Sequence, residues 1–308
     1  MTPSQLRTFV SVVDSGSVRG AAEALFVSQP AVSSALSALQ AELGVALVER
    51  EGRGLRVTPA GQVLADYGRR VIRLLEEAAV ATVARASPER GRLRLDAVTT
   101  AGEQVVPPSL TSFRARYPQM EIRLEVGNRR RTWELLTSHG ADLAIGGRPA
   151  PGGNLVSLAA RNNQLVVVAP PPWGAGEVSL SQLAEATWLM REPGSGTRAT
   201  NEELLEDLGI SPPTLTLGSN GAIVESVKAG LGVALVSLDA ARRELADGMV
   251  VEWRAEPLPL RRRWHLVARG GESLPATAGL FVDHLTSEGD WVPSPQTLLP
   301  TAAPIAST

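Results

Sequence analysis

Gln29 can read a nucleic-acid edge, because its side-chain amide both donates to and accepts from an adenine in the major groove. It lies in a run of small polar residues, Ser28, Gln29, Pro30, Ser33, Ser34 and Ser37, spaced so that they share one helix face. A merely solvated face would show the same types. Arg50, Arg53 and Arg56 follow, around the glycine-rich tip Arg50-Glu51-Gly52-Arg53-Gly54, and supply charge suited to phosphates or a narrow minor groove. A solubilising surface hairpin would also carry them. A second patch is Arg191-Glu192-Pro193-Gly194-Ser195-Gly196-Thr197-Arg198, which leads directly into a helical pattern. Free amides at such a start, with the Ser195 and Thr197 hydroxyls and Arg198, make an anion site. A plain turn with an N-cap explains the same glycine and serine choices.

Other chemistries are missing from the chain. Its 308 residues include no cysteine, which removes disulfides, thiolate nucleophiles and zinc-thiolate sites. His139, His265 and His284 have no ligand spacing, so no metal and no cofactor are expected. The chain has no G-x-S-x-G elbow, no G-x-x-x-x-G-K-[ST] loop, no H-E-x-x-H and no G-x-G-x-x-G after a strand, which argues against an enzyme. Hydrophobic residues at 44% and charged residues at 20% are the balance of a soluble globular protein. No apolar run is long enough to span a membrane, and MTPSQLRTFV lacks the features of an export signal, so a cytoplasmic location is expected. The net charge of -2 hides an asymmetry: arginine exceeds acid over the first 95 residues, and acid exceeds base afterwards.

The elements that must position these residues follow from caps and periodicity. Thr2-Pro3-Ser4-Gln5 starts a helix as a capping box, with Leu6, Phe9, Val10 and Val13 on its apolar stripe. Ser17 caps a second helix with Val18, Ala21, Ala22 and Leu25 inward. After a four-residue hinge the third helix opens at Ser28-Gln29-Pro30, with Val32, Ala35, Leu36, Leu39 and Leu43 inward and Gly44 as its stop. Ala46 to Glu49 and Leu55 to Val57 form a hairpin. Thr58-Pro59 caps a helix running to about Ala86, along which Leu64, Tyr67, Val71, Leu74, Ala78 and Ala81 form the seam of a two-helix coiled coil. At about 1.5 Å per residue it would reach roughly 40 Å.

From Leu93 onward, candidate strands (Leu93–Val98, Glu121–Val126, Leu143–Ile145, Gln164–Val168, Leu215–Leu217, Val233–Val236, Trp264–Ala268) alternate with helical stretches. That alternation predicts a largely parallel sheet. Residues 291–308, rich in Pro, Ala, Ser and Thr without a period, read as a disordered tail.

Three short helices and a hairpin make a winged helix-turn-helix, whose third helix fits the major groove. At this point the chain resembles the LysR-type transcriptional regulators. The resemblance rests on Gln5-Leu6-Arg7-Thr8-Phe9, Ser15-Gly16-Ser17, Ala21-Ala22, Val27-Ser28-Gln29-Pro30-Ala31-Val32-Ser33, Leu39, Glu42-Leu43-Gly44, Glu49-Arg50, Arg53 and Leu55-Arg56-Val57-Thr58-Pro59-Ala60-Gly61. A weaker likeness covers about residues 91 to 288. Where many members carry arginine or another long polar side chain on the third helix, this sequence has Ser34, Ser37 and Ala38. Phosphate contacts then fall to Arg50, Arg53 and Arg56, with Arg19.

The resemblance implies an α+β multi-domain chain. A winged helix-turn-helix DNA-binding domain (1–58) is followed by a linker and dimerisation helix (59–90) and a periplasmic-binding-protein-like sensor (91–290). The sensor would have two α/β lobes, about 91–160 with 265–290 and about 161–264. Its cleft would be lined by Thr99 and Thr100 after the first strand, by Ser195, Gly196, Thr197 and Arg198 opposite, and by Asn220 at another helix start. The implied partners are promoter DNA as a duplex, a small anionic effector, and further copies of the chain as a homodimer and homotetramer. A solute-binding transport protein would share the sensor architecture, but the first 60 residues and the missing export signal argue against it.

Overall fold

The computed structural model describes residues 1–51, 54–84 and 87–295. The chain divides into two compact units, Met1–Thr82 with Ser138–Gly140, and Val83–Thr137 with Ala141–Thr308.

In the first unit, α1 (Pro3–Ser15) begins with a complete capping box: the Thr2 hydroxyl accepts from the Gln5 amide, and the Gln5 side chain accepts from the Thr2 amide at 2.7 Å. Ser17 caps α2 (Val18–Leu25) and Ser28 caps α3 (Gln29–Leu43). The hairpin of β1 (Val48–Glu51) and β2 (Gly54–Val57) sets Glu49 opposite Arg56 and Arg50 opposite Leu55. Phe9, Leu36, Leu39, Leu47 and Ala65 form one core cluster, and Val12, Ala21, Ala22 and Val32 another. Because α1 packs against both α2 and α3, its buried face is wider than a single stripe and takes in Val12, leaving the expected Val13 half-buried. Leu43 ends α3 beyond the cluster and is exposed.

The last helix of this unit, α4 (Pro59–Ala84), is docked at its start by Thr58, whose hydroxyl donates to the Ala46 carbonyl at 2.8 Å and accepts from the Gly61 amide at 3.0 Å. Gly61 is required there because a Cβ would overlap the Leu47 carbonyl oxygen. Of the expected seam, Leu64 packs partly into the Phe9 cluster, whereas Tyr67, Val71, Leu74 and Ala78 are exposed, with Val63 and Leu75 beside them. The side chain of Ala81 lies outside the described residues.

The second unit opens with β3 (Arg92–Val98), α5 (Val106–Arg116), β4 (Glu121–Gly127), α6 (Arg129–Thr137) and β5 (Leu143–Gly146). Here β3 pairs in parallel with both β4 and β5. The long strand β6 (Leu155–Ala169) leads to β7 (Gly176–Glu177), α7 (Leu180–Glu185), β8 (Trp188–Arg191), α8 (Gly196–Asp207), β9 (Thr214–Leu217), α9 (Asn220–Lys228), β10 (Ala234–Ser237), α10 (Leu238–Ala246) and β11 (Val251–Arg254). The chain returns along β12 (Leu260–Arg269) to α11 (Ala276–Glu288) and β13 (Val292–Pro293). One core gathers residues of 93–159 and 264–291 around Phe113 and Phe281; others gather residues of 165–260, one of them around Trp188. Two α/β lobes result, joined by the crossing strands β6 and β12.

The expectation of a largely parallel sheet is corrected. β6 and β12 run antiparallel along their length, and β5, β10, β11 and β13 all meet one of them antiparallel, so the main sheet is mixed. The physical reason is that a chain passing between two lobes and back must traverse the sheet in opposite directions. The tail expected from residue 291 starts later. Trp291 is buried in the first lobe, and Val292 and Pro293 pair with Ala160 and Ala159. Residues 296–308 of that expected tail lie outside the described residues. Among the described residues no helix is long and apolar enough to cross a membrane.

Candidate nucleic-acid interface and anion cleft

On α3 the inward positions Val32, Leu36 and Leu39 fix the rotation of the helix, so Gln29, Pro30, Ser33, Ser34 and Ser37 are all exposed. Ser28 is exposed too, but its hydroxyl serves as the cap, accepting from the Ala31 amide at 3.4 Å. The face carries no charge. Of the arginines expected to meet phosphates, Arg56 is exposed and its guanidinium is held by Glu49 across the hairpin, while Arg19 pairs with Glu23 at 2.9 Å. Arg53 and the side chain of Arg50 lie outside the described residues. Sequence reasoning missed Phe26. It ends α2 with φ 55 and is 96% exposed, beside the start of α3. A bulky residue held in the left-handed region is strained, and such strain clusters at functional positions.

The second unit holds an open cleft of about 1640 Å³, more than one small metabolite fills. It is bordered where the parallel strands β3, β4 and β5 end, at Thr99-Thr100, Gly127-Asn128-Arg129 and Gly147-Arg148, the edge at which open α/β sheets bind ligands. Across from these stand Ser195, Gly196 and Thr197 at the start of α8. Ser195 is buried and caps that helix by accepting from the Arg198 amide, and Gly194 supports the turn with φ +91. Thr99 donates to the Gly127 carbonyl at 3.2 Å.

Two expected cleft residues sit differently from the reading. Arg198 points back onto its own lobe, donating to Glu202 at 2.7 Å, to the Arg191 carbonyl at 2.8 Å and to Thr216 at 3.3 Å, and does not line the cleft. Asn220 is buried, and its amide donates to the Thr100 hydroxyl while its carbonyl accepts from Arg191 at 2.6 Å. Arg191 is the residue that the sequence reading passed over. It lines the cleft and bridges the lobes through Thr99 and Asn220, partners with no local sequence signal because they lie 92 and 29 positions away.

The cleft is electropositive. Eight arginines line it (129, 148, 161, 191, 242, 261, 262 and 263) against Glu203 and Asp239. The runs Arg129-Arg130-Arg131 and Arg261-Arg262-Arg263 are the sequence signal that could have pointed to this, within a part of the chain where acid exceeds base overall. His265, whose Nδ1 is hydrogen-bonded to the Ser157 hydroxyl at 2.8 Å, has its pKa lowered from the ordinary imidazole value by burial and by Arg148 and Arg263. A neutral His265 leaves the cleft's positive charge to arginine, which does not titrate.

Beneath the same edge, Asp96 on β3 is 1% exposed, and neither of its oxygens nor the Thr132 hydroxyl completes a hydrogen bond. Burial raises its pKa, with Glu125 adding to the rise and Arg131 opposing it. An acid whose folded pKa is raised stabilises the fold below the ordinary carboxylate pKa, and that contribution is lost as pH rises through the raised value. Asp96→Asn is therefore expected to raise the melting temperature of this unit at pH 8 by roughly 2–4 °C per kcal/mol relieved. The gain should shrink toward pH 4. A gain independent of pH would show that Asp96 is not the titrating group.

Comparison with known proteins agrees with this geometry. Residues 3–62 match the family described as "Bacterial regulatory helix-turn-helix protein, lysR family", and residues 86–290 match "LysR substrate binding domain". The chain is 38% identical over 295 residues to the HTH-type transcriptional regulator CbbR of Xanthobacter flavus, covering 94% of this chain and 88% of that regulator. The regulatory domain of Synechocystis PCC6803 CcmR in complex with 2-PG is similar at 30% identity and a TM-score of 0.59, covering 63% of this chain and 95% of that one. Full-length CbnR complexed with its target DNA shares the fold at 23% identity and a TM-score of 0.69, over 92% of this chain and 98% of that one. With head and sensor both matched, in that order and over nearly the whole length, the chain belongs to the LysR family and is a DNA-binding transcriptional regulator, not an enzyme.

Proposed function

We propose that this regulator reads a pseudo-palindromic duplex with α3 of two paired copies, and that a small anionic metabolite in the arginine-lined cleft alters the spacing of those reading heads and hence the bend of the DNA. The observation that carries the reading is the uncharged exposed row of Gln29, Ser33, Ser34 and Ser37 on the third helix of a three-helix head. Gln29 offers a bidentate contact to adenine, and the serines reach bases or phosphates. Arg50, Arg53 and Arg56 supply the sequence-independent part. Residues 1–58 act as the DNA-binding domain and 59–90 as the pairing helix. Residues 91–290 act as the sensor, in lobes of about 91–160 with 265–290 and about 161–264. Further contacts between sensors make a tetramer, and the protein works in the cytoplasm.

Thr99, Thr100, Ser195, Gly196 and Thr197 supply hydroxyl, amide and helix-start donors to the ligand, and Asn220 acts behind them by holding Thr100 and Arg191. The bound CcmR regulatory domain makes 2-PG the first compound to test. The ligand must bind two lobe arrangements unequally, because equal affinity shifts nothing.

The test is a titration of full-length protein against labelled DNA from its own upstream region, over a range of salt and with or without 2-PG. A shift that weakens steeply with salt, at a slope set by the number of phosphates neutralised, is expected. No salt-sensitive complex at any protein concentration would overturn the DNA reading. Identical footprints and bend angles across a panel of anionic metabolites would overturn the coupling.

A further inference from the structure

The cleft's most deeply placed cation is already occupied by a carboxylate from the same chain. Arg191, the last residue of β8, is 4% exposed, and its fork faces the Glu192 side chain two-pronged, Nε to Oε2 at 2.7 Å and Nη2 to Oε1 at 3.0 Å. Its remaining donors reach the Asn220 carbonyl at 2.6 Å and the Thr99 hydroxyl at 3.4 Å, and Asn220 passes the network on to Thr100. Arg191 is thus fixed as the last of four buried strand residues and by contacts to both lobes. Its partner is placed differently. Glu192 keeps 27% of its side chain exposed, does not line the cleft, and precedes the exposed turn Pro193-Gly194.

A guanidinium removed from water needs an anion, and its planar fork binds carboxylate or phosphate in the same two-pronged geometry. A ligand anion at this fork must therefore compete with Glu192. The two members differ in the cost of separating them. Glu192 can swing into water and recover its hydration, whereas Arg191 can only exchange one anion for another.

We propose that Arg191 is the principal anion-binding residue of the cleft and that Glu192 is a built-in competitor, occupying the fork until a ligand anion displaces it and so setting the affinity threshold of the sensor. The competitor filters ligands. A weak or singly contacting anion does not repay the loss of a two-pronged pair, while a compact anion that also meets Thr99, Thr100 and the start of α8 does. The proposal rests on the anionic-effector reading above and adds the device that governs it.

Calorimetric titration of the full-length protein with inorganic phosphate and, separately, with 2-PG tests this. Glu192→Gln keeps the shape and an acceptor but removes the charge, and is expected to bind phosphate about fivefold tighter or better. Glu192→Asp, whose carboxylate is one methylene short of the fork, is expected to shift the same way, and it serves if the glutamine variant does not fold. Arg191→Lys keeps the charge without the fork. In that background Glu192→Gln is expected to change affinity by less than about twofold, since both changes act through one contact. If the parent protein binds and Glu192→Gln binds equally or more weakly, Glu192 only orients Arg191 and the competitor is overturned while the anionic reading stands. Undiminished enhancement in the Arg191→Lys background would also overturn it. Binding by Glu192→Gln alone would support a threshold set above the concentrations tested. Binding of neither anion by any variant would overturn both readings.

Discussion

Leu74→Asp is expected to leave the protein monomeric and to weaken its hold on a two-half-site duplex by about 10² to 10⁴-fold, the range over which linking two binding modules exceeds either alone. The argument starts from α4. Val63, Tyr67, Val71, Leu74 and Leu75 are exposed on one side of it, with Leu74 at 50% and Tyr67 at 61%. Spacings of four, four and three place Val63, Tyr67, Val71 and Leu74 on one stripe, the pattern that drives two helices to pair. Apolar surface left wet costs about 25 cal/mol per Å², so a stripe of this length is stabilised by a second copy. Leu74 makes no core contact within its own head, whose clusters end at Ala65. An aspartate there leaves the monomer folded and places two like charges across the seam. Glu76→Ala, on the opposite face, is the control. Sedimentation velocity and DNA titration on the same samples decide the matter. A Leu74→Asp protein that remains paired and binds DNA undiminished would show that α4 is not the pairing surface.

What could be read before the structure was whatever depends on near neighbours in the chain. Thr2, Ser17 and Ser28 announce their helices because a cap bonds an amide three residues on. The sensor strands were harder because their burial has no alternation. Every residue of β8 is buried, and so is every residue of β10, so neither shows period two, and Trp188-Leu189-Met190-Arg191 carries no strand signal of its own. The direction of β6 depends on its pairing with residues about a hundred positions later, which no local pattern carries. The site divides the same way. Ser195, Gly196 and Thr197 declare themselves as a helix start, whereas Arg191 gains its meaning only from Thr99 and Asn220. Trp291 is one large apolar residue among prolines and serines, with no period to mark it as core, yet it packs into the core of the first lobe.

Trp188→Ala is expected to cost about 3–5 kcal/mol of stability and to abolish the response to ligand while leaving DNA binding intact. Trp188 is fully buried among Leu165, Val167, Leu183, Leu204, Val233 and Trp253. Its indole N–H donates to the Leu183 carbonyl at 2.8 Å, so truncation leaves both a large cavity and an orphaned acceptor. The strand that carries it also carries Arg191 three residues later; the Trp188 amide donates to the Pro213 carbonyl at 2.8 Å, and its neighbours Thr187 and Leu189 bond Val233 on either side. A lobe that relaxes around the cavity displaces the guanidinium on which the cleft depends. The DNA-binding head has its own cores, drawn only from residues 9 to 65, and gains or loses nothing from this cavity. Calorimetry should therefore show one transition lowered by roughly 10 °C or more and another unmoved, since two units that melt separately do not share a midpoint. At a temperature below both transitions, the variant should bind its DNA within about twofold of the parent, the scatter expected for a distant site, and should lose whatever response to small anions the parent shows. If both transitions fell together, the head would draw stability from the sensor, and the separation of reading from sensing on which this prediction depends would have to be given up.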